Sequence, residues 1–123
     1  MAGPDVAVIE LTRSINDATI ASGQSLSAAI PLKGHTLVGI QMPAAWTAAS
    51  ITLQACATES GTYGDVYEAD GTELEFTVSA GQHIILSAAQ MISIKNVKVR
   101  SGTSGTPVNQ GAERSITLLV RDV

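Results

Sequence analysis

The sequence predicts an all-β fold, a two-sheet antiparallel β-sandwich with a jelly-roll-like arrangement of about eight strands. Short runs rich in Val, Ile, Leu and Thr recur between Gly, Pro, Asn and Ser residues, which is the pattern of strands separated by turns. No stretch sustains the 3.6-residue period of an amphipathic helix. Because the Cys…Trp…Cys signature is absent, the prediction is a sandwich but not an immunoglobulin domain.

Composition predicts one folded, soluble domain over residues 1–123. Of these residues 45% are hydrophobic and 15% are charged, which is too apolar for a disordered segment. No apolar run is long enough for a membrane helix, and the first residues lack the features of a signal peptide, so we expect no membrane association. Cys56 is the single cysteine, which excludes an internal disulfide and fits a reducing cytoplasm.

The first half of the chain predicts strands near 6–13, 17–21, 25–31 and 35–42, and the residues before about 14 form a short N-terminal arm. A further strand begins at Ile51, where apolar residues alternate with Thr, Gln and Cys, so that one face suits a core.

The second half predicts a hairpin and several more strands. Asp70-Gly71 is a tight-turn signal between a strand near 64–69 and another at 73–78, in which Leu74, Phe76 and Val78 point inward. Further strands are expected at 82–86, 94–100 and 115–121, and in the last of these Ile116, Leu118 and Val120 face the core while Ser115, Thr117, Leu119 and Arg121 face outward. Residues 87–91 fit one helical turn capped by Ser87.

The segment 101–111 is rich in Gly, Ser and Thr and is predicted to be a long loop without a strand ladder. Loops of this length in small domains are usually functional or disordered, and we interpret this one as a contact loop, with a simple hairpin tip as the alternative.

Charge is distributed unevenly along the chain. Residues 34–94 contain six acidic residues and no Lys or Arg (−6), residues 95–123 carry +3, and residues 1–33 carry −1, which sum to the net charge of −4. The negative total argues against nucleic-acid binding, which needs clustered basic residues. Opposite-sign patches could orient contacts between copies or with another protein.

Catalytic and metal chemistry finds little support in the sequence. His35 and His83 lack a serine-hydrolase signature, and Cys56 lies in an alternating strand as a packed thiol would. Glu73 and Glu75 share one strand face, which we interpret as the solvated side of the strand and not as a glycosidase pair. A solvated acidic rim is likewise preferred to a calcium site for Asp65, Glu68 and Asp70. No cofactor, metal or catalytic residue is therefore predicted.

The few aromatic residues leave two interpretations open. Trp46 follows a strand end and is expected to plug the end of the sandwich, with its indole N–H satisfied there. Alternatively, Trp46, Tyr63 and Tyr67 form the platforms of a carbohydrate-binding adhesion module, since sugar faces stack on exposed aromatic rings.

Several runs of the chain resemble one group of known proteins. These are LVGIQMPAAWTAASITLQA at 37–55, YGDVY at 63–67, DGTE at 70–73, KVRSGT at 98–103 and PVNQ at 107–110. They are similar to small β-rich virion proteins of tailed bacteriophages and prophages, over roughly residues 23–121. Residues 58–63 depart from the pattern, because relatives often read Ser-x-Asp-Gly followed by Trp there.

The resemblance implies a non-enzymatic virion structural protein, either a capsid decoration or cement protein or the base of a head fibre, with a tail or collar attachment protein as an alternative. Its implied partners are the major capsid protein or other virion proteins and its own copies, without nucleic acid or membrane, and its location is the virion, after assembly in the host cytoplasm. The expected contact regions are the arm, the aromatic residues and the 101–111 loop, through Val6, Val8, Glu10, Trp46, Tyr63, Tyr67, Thr103, Pro107, Asn109 and Gln110.

Overall fold

The computed structural model describes residues 12–122 and shows two antiparallel β-sheets that share one core. In chain order the elements are β1 (Thr12–Ser14), β2 (Ala18–Ile20), β3 (Ile30–Pro31), β4 (Thr36–Gln41), β5 (Ile51–Cys56), β6 (Gly64–Asp65), β7 (Glu75–Phe76), β8 (His83–Ile85), α1 (Ala88–Met91), β9 (Asn96–Ser101) and β10 (Arg114–Arg121). Sheet I has the order β1-β10-β4-β8, with β2 also paired to β10, and sheet II has the order β3-β9-β5-β6, with β7 also paired to β5. The predicted sandwich is confirmed, with more and shorter strands than expected.

The core lies between the sheets and consists of aliphatic side chains from both. In β10 the predicted alternation is confirmed, because Ile116, Leu118 and Val120 are fully buried while their neighbours are not. Val97 and Val99 of β9 face them from sheet II and are equally buried. Each such side chain contributes roughly 1.5–3 kcal/mol through removal of its apolar surface from water, so the central strands β10, β4, β5 and β9 hold the fold together.

The strand predicted at 25–31 is much shorter in the structure, because Ser27 interrupts the ladder. The backbone N–H of Val99 donates to the Ser27 hydroxyl oxygen at 2.9 Å, where a strand would offer a carbonyl. Only Ile30–Pro31 pairs regularly with β9, and Leu26 adds one isolated bridge to Arg100. Serine side chains that bond to nearby backbone groups compete with sheet formation in this way.

The N-terminal strand is placed differently from the prediction. Residues 12–14 pair with the end of β10 and so belong to sheet I, although they were assigned to the arm. Most of the predicted 6–13 strand lies outside the described residues, as do Val6, Val8 and Glu10.

The predicted turn at Asp70-Gly71 is confirmed, although its flanking strands do not form a regular hairpin ladder. Gly71 has a φ of 91°, and Asp70 accepts a hydrogen bond from the backbone N–H of Thr72 at 2.9 Å. β6 and β7 both pair with β5, and a single bridge joins Tyr67 to Glu73. The helical turn is also confirmed, with Ser87 as its cap.

Candidate interaction surfaces

The outer face of sheet I carries an apolar groove of about 420 Å³, which we call the sheet I groove. Ile85 of edge strand β8 is 86% exposed beside it, although a side chain of this size normally lies in a core. Ile85 points outward because its neighbour Ile84 packs against the core. The walls and floor of the groove include Val38, Gly39, Leu86, Leu119 and Arg121. Ile85 therefore meets water beside the partly exposed side chains of Val38 and Leu119.

A β-bulge in β4 creates the groove. Leu119 of β10 pairs with Gly39, but the next residue of β10 pairs with Leu37, so Val38 is an extra residue without a pairing partner on β10. The bulge changes the phase of the strand, which is why Leu37 and Ile40, three positions apart, are both buried. Val38 and Gly39 are left together on the outer side.

Gly39 keeps the floor of the groove open. A Cβ atom at this position would lie 3.3 Å from the carbonyl oxygen of Ile84 and 3.5 Å from a methyl carbon of Leu119. The absent side chain thus lets β8 approach β4 closely and leaves Leu119 accessible from outside.

One end of the groove is formed by Thr12 and Arg121, which are paired across β1 and β10. The Nε atom of Arg121 is buried there and has no hydrogen-bond partner among residues 12–122. Buried donors are nearly always satisfied in folded proteins. The end of the groove therefore carries the positive charge of Arg121, whose Nε atom is enclosed without a described partner.

The outer face of sheet II is held by a buried arginine, and we call its contacts the Arg100 cluster. The Arg100 side chain is 7% exposed, and its guanidinium donates to Asp65 at 2.7 Å, to Glu73 at 3.1 Å and to the hydroxyl of Thr52 at 3.0 Å. Glu73 also accepts from the backbone N–H and the hydroxyl of Ser104, each at 3.2 Å. The cluster thereby fastens the 101–111 loop to the segment before β7 and, through Arg100, to β6.

This cluster corrects two predictions. Asp65 was assigned to a solvated acidic rim and Glu73 to the wet face of its strand, but both carboxylates pair with Arg100 within the same chain. Glu75 is exposed as predicted, and so are Glu68 and Asp70 of the predicted acidic rim. Part of the charge asymmetry along the sequence is consequently neutralised inside the fold and is not offered to a partner.

The 101–111 segment is a loop without a strand ladder beyond Ser101, as predicted, but hydrogen bonds and one isolated bridge order it. Ser101 belongs to β9, and Gly102 forms a bridge with Pro107. Between them Thr103 and Thr106 exchange backbone hydrogen bonds at 3.2 Å in both directions. Gly102 has a φ of 90°, and a Cβ there would meet the carbonyl oxygen of Thr106 at 2.5 Å. Only glycine fits this conformation without displacing the opposite strand of the loop.

Gln110 closes the loop from within. It is 1% exposed, and its amide accepts from the backbone N–H of Thr47 at 2.8 Å and donates to the carbonyl oxygen of the same residue at 3.0 Å. It also donates to the hydroxyl of Ser101 at 2.7 Å and accepts from Arg114 at 3.2 Å. Gln110 was predicted as a contact residue, but the structure gives it an internal role.

The remaining loop residues that were predicted as contacts are more accessible. Pro107 and Asn109 are exposed, and Thr103 is half-buried. The exposed side of the loop is therefore its tip and the stretch before Gln110.

Two of the three predicted aromatic platforms, Trp46 and Tyr63, lie near opposite ends of β5. The indole N–H of Trp46 donates to the carbonyl oxygen of Ala49 at 3.0 Å, just before β5, and the ring packs against the core, as the plug interpretation predicts. Tyr63 bonds to Glu59 after the other end of β5, which at ~3.3 Å per residue is roughly 17 Å away. The Lys98 ammonium lies 4.7 Å from the centre of the Tyr63 ring. Tyr67 alone is largely exposed, at 54%.

The histidines have partners that tie strands together. His35 contacts Arg13, bonds to the carbonyl oxygen of Leu32 at 3.0 Å and lies 3.3 Å from Asp122, so it joins the ends of β1, β4 and β10. His83 bonds to the side chain of Gln41 at 3.1 Å. Within residues 12–122 neither imidazole bonds to a serine or cysteine side chain.

Cys56 is the last residue of β5 and so lies in the strand, as predicted. Its thiol is half-buried at the end of β5, and a hydrogen bond from the Thr58 backbone lowers its pKa, against a smaller opposing effect of desolvation. Across the described part of the chain, no group of three or more His, Cys, Asp or Glu residues is placed to hold a metal ion. Nor does any described helix have the length and apolar character to cross a membrane.

Sequence reasoning missed the sheet I groove and the Arg100 cluster. Leu119 was a signal, because it is an apolar residue on the outward side of an otherwise alternating strand. Gly39 was a second signal, since glycine inside a strand pattern often marks a bulge or a close approach of backbones. Nothing in the local pattern around Arg100 indicated that it would be buried, because its partners lie 27 and 35 residues away.

Comparison with known proteins identifies no relative of this chain. No protein-family model matches the chain, and neither a curated protein nor a solved structure is significantly similar to it. The resemblance to phage virion proteins therefore stays a prediction, and arguments about function depend on the two surfaces described above.

Proposed function

We propose that the chain is a non-enzymatic structural protein of a bacteriophage virion that decorates or cements the capsid, or forms the base of a head fibre. It acts by binding the capsid surface and its own copies. The observation that carries this proposal is the sheet I groove, in which apolar side chains line an open surface on a domain whose core is otherwise well packed.

The groove supports a contact function because its composition is unfavourable in water. Ile85 is almost fully exposed, and Val38, Leu86 and Leu119 lie around the same depression. Single exposed apolar residues are ordinary, whereas a cluster on one face is typical of a protein–protein interface. Burial of Ile85 alone would contribute roughly 1.5–3 kcal/mol to association.

The build of the 101–111 loop also supports a contact function. The Arg100 cluster and Gln110 hold both ends of the loop, while Pro107 and Asn109 stay exposed. A loop that is already ordered loses little conformational entropy when it binds, so more of its contact energy appears as affinity.

The decisive experiment is a count of this polypeptide in purified phage particles. Particles from an induced host are separated on a density gradient, and quantitative mass spectrometry compares this chain with the major capsid protein. A ratio near one copy per capsid subunit or capsomer supports decoration, whereas about a dozen copies or fewer per particle supports a neck or tail position, where closed rings are small. Absence from particles that contain all other structural proteins would refute the proposal.

A further inference from the structure

We infer that the sheet I groove is the binding site for residues 6–11 of a second copy of the chain. This inference rests on the proposed function, since it specifies how one copy contacts another. Three features favour this occupant: the place where the chain enters sheet I, the composition of residues 6–11, and the charge at the end of the groove.

The segment joins the structure at the groove itself. Thr12 lines the groove and pairs with Arg121, the last residue of β10. Because β1 runs antiparallel to β10 and begins opposite Arg121, the described chain enters sheet I at the end of β10. A segment entering from that side is well placed to bridge to a neighbouring molecule.

Composition and length suit the groove. Residues 6–11 read Val-Ala-Val-Ile-Glu-Leu, so five of the six are apolar. Six extended residues span roughly 20 Å, and the four strands from β1 to β8 are about 14 Å across. The segment is therefore long enough to cover Leu119, Val38 and Ile85.

The sequence favours the groove of a second copy over the groove of the same chain. To lie on its own sheet, the chain would have to reverse direction just before Thr12. Residues 6–11 contain no Gly, Pro, Asn or Asp, which are the residues that make such reversals. A segment that continues in the direction of β1 leads away from its own groove.

Charge complementarity points to the same occupant. Glu10 is the only charged residue of the segment. Arg121 lies at the end of the groove, and its buried Nε atom has no partner among the described residues. The Glu10 carboxylate and the Arg121 guanidinium carry opposite charges, so an ion pair between them would favour this occupant.

Mixed disulfide formation tests this inference. In a Cys56→Ser background, which removes the only native thiol, one preparation carries Val8→Cys and another carries Ile85→Cys. The two are mixed under mild oxidation and analysed on non-reducing gels. We expect a cross-linked dimer of the two species, and no such product when Val8→Cys is mixed with Ser60→Cys, which is exposed at the distant end of β5.

The chain carrying both Val8→Cys and Ile85→Cys separates the two possible arrangements. Disulfide formation within single chains at high dilution would overturn the inference, because it would show that the segment covers its own groove. Equal cross-linking of Ile85→Cys and Ser60→Cys would overturn it as well, since the reaction would then be unspecific.

A non-covalent measurement uses matched isoleucines. Ile85→Ser is expected to weaken self-association in analytical ultracentrifugation roughly tenfold or more, as is deletion of residues 1–11. Ile92→Ser is the control, because Ile92 is 60% exposed but lies outside the groove. Equal effects of the two serine variants would overturn the inference. If the chain is found in particles and these tests fail, the proposed function stands without this contact; if the cross-link forms but particles lack the chain, the proposed function fails alone.

Discussion

Replacement of Arg100 by methionine is expected to lower the free energy of unfolding by about 2–4 kcal/mol. Methionine keeps the aliphatic stem and removes the guanidinium that serves Asp65, Glu73 and Thr52. Hydrogen bonds to charged groups contribute about 1.5–3 kcal/mol each, which sets an upper value near 6 kcal/mol for the two carboxylates. The Asp65 and Glu73 side chains are 30% and 16% exposed, so water recovers part of that loss.

Urea denaturation followed by tryptophan fluorescence measures this change, and Lys98→Met is its matched control. Lys98 lies two residues earlier on the same strand. The Lys98→Met variant loses only the cation–π contact with the Tyr63 ring, which contributes less than about 1 kcal/mol to stability at a partly exposed site.

Arg100→Met should cost clearly less in a chain that also carries Asp65→Asn and Glu73→Gln, because no carboxylate is then left without a cation. An effect of Arg100→Met no larger than that of Lys98→Met would refute the reasoning, since it would mean that solvent already screens the cluster.

Three further predictions concern the loop and the thiol. Gly102→Ala should lower the melting temperature by several degrees, corresponding to about 2 kcal/mol or more from left-handed strain and a backbone clash, whereas Gly105→Ala, which meets no atom within 4 Å, should be nearly neutral in calorimetry. Gln110→Leu should cost about 2–3 kcal/mol in the same assay, because a buried peptide N–H and carbonyl lose their partner; an unchanged melting temperature would contradict this. Alkylation of Cys56 by iodoacetamide should rise with pH around a midpoint below the ordinary thiol value of 9.0, because its pKa is lowered and the thiolate forms earlier; a midpoint at or above that value would contradict it.

Much of the fold follows from local pattern, because the side chains of a half-buried strand alternate. Neighbouring residues alone were enough to predict three features: the buried side chains of β10, the turn at Asp70-Gly71 and the single helical turn. The interrupted strand at 25–31 was not readable, since the hydroxyl of Ser27 replaces a backbone acceptor only when β9 lies beside it. Strand propensity depends only on neighbouring residues in the sequence. The hydrogen bond between Ser27 and Val99 joins residues that are 72 positions apart.

The charge pattern shows the same limit of sequence reasoning. The acidic middle and the basic end of the chain suggested patches for a partner, yet Arg100, Asp65 and Glu73 pair with one another in the fold. Without Asp65 and Glu73, the net charge of segment 34–94 changes from −6 to −4. Without Arg100, the net charge of segment 95–123 changes from +3 to +2. Fewer charges are therefore available to orient a partner than the sequence indicates. Apolar contacts would then contribute a larger share of any binding energy.

The residues that break the alternation of sheet I are the ones that form its candidate contact surface. Leu119 is apolar on an outward position, Gly39 interrupts a strand, and Val38 is the extra residue of a bulge. Each is unfavourable for an isolated sandwich, because an apolar residue gains nothing from facing water and a strand glycine loses more conformational entropy than other residues. Their convergence at one groove, beside the exposed Ile85, is explained if the folded monomer is an intermediate and the groove is filled on assembly. Departures from strand pattern that meet at one place in a sheet are therefore the sequence signal that singles out the sheet I groove as a candidate contact surface.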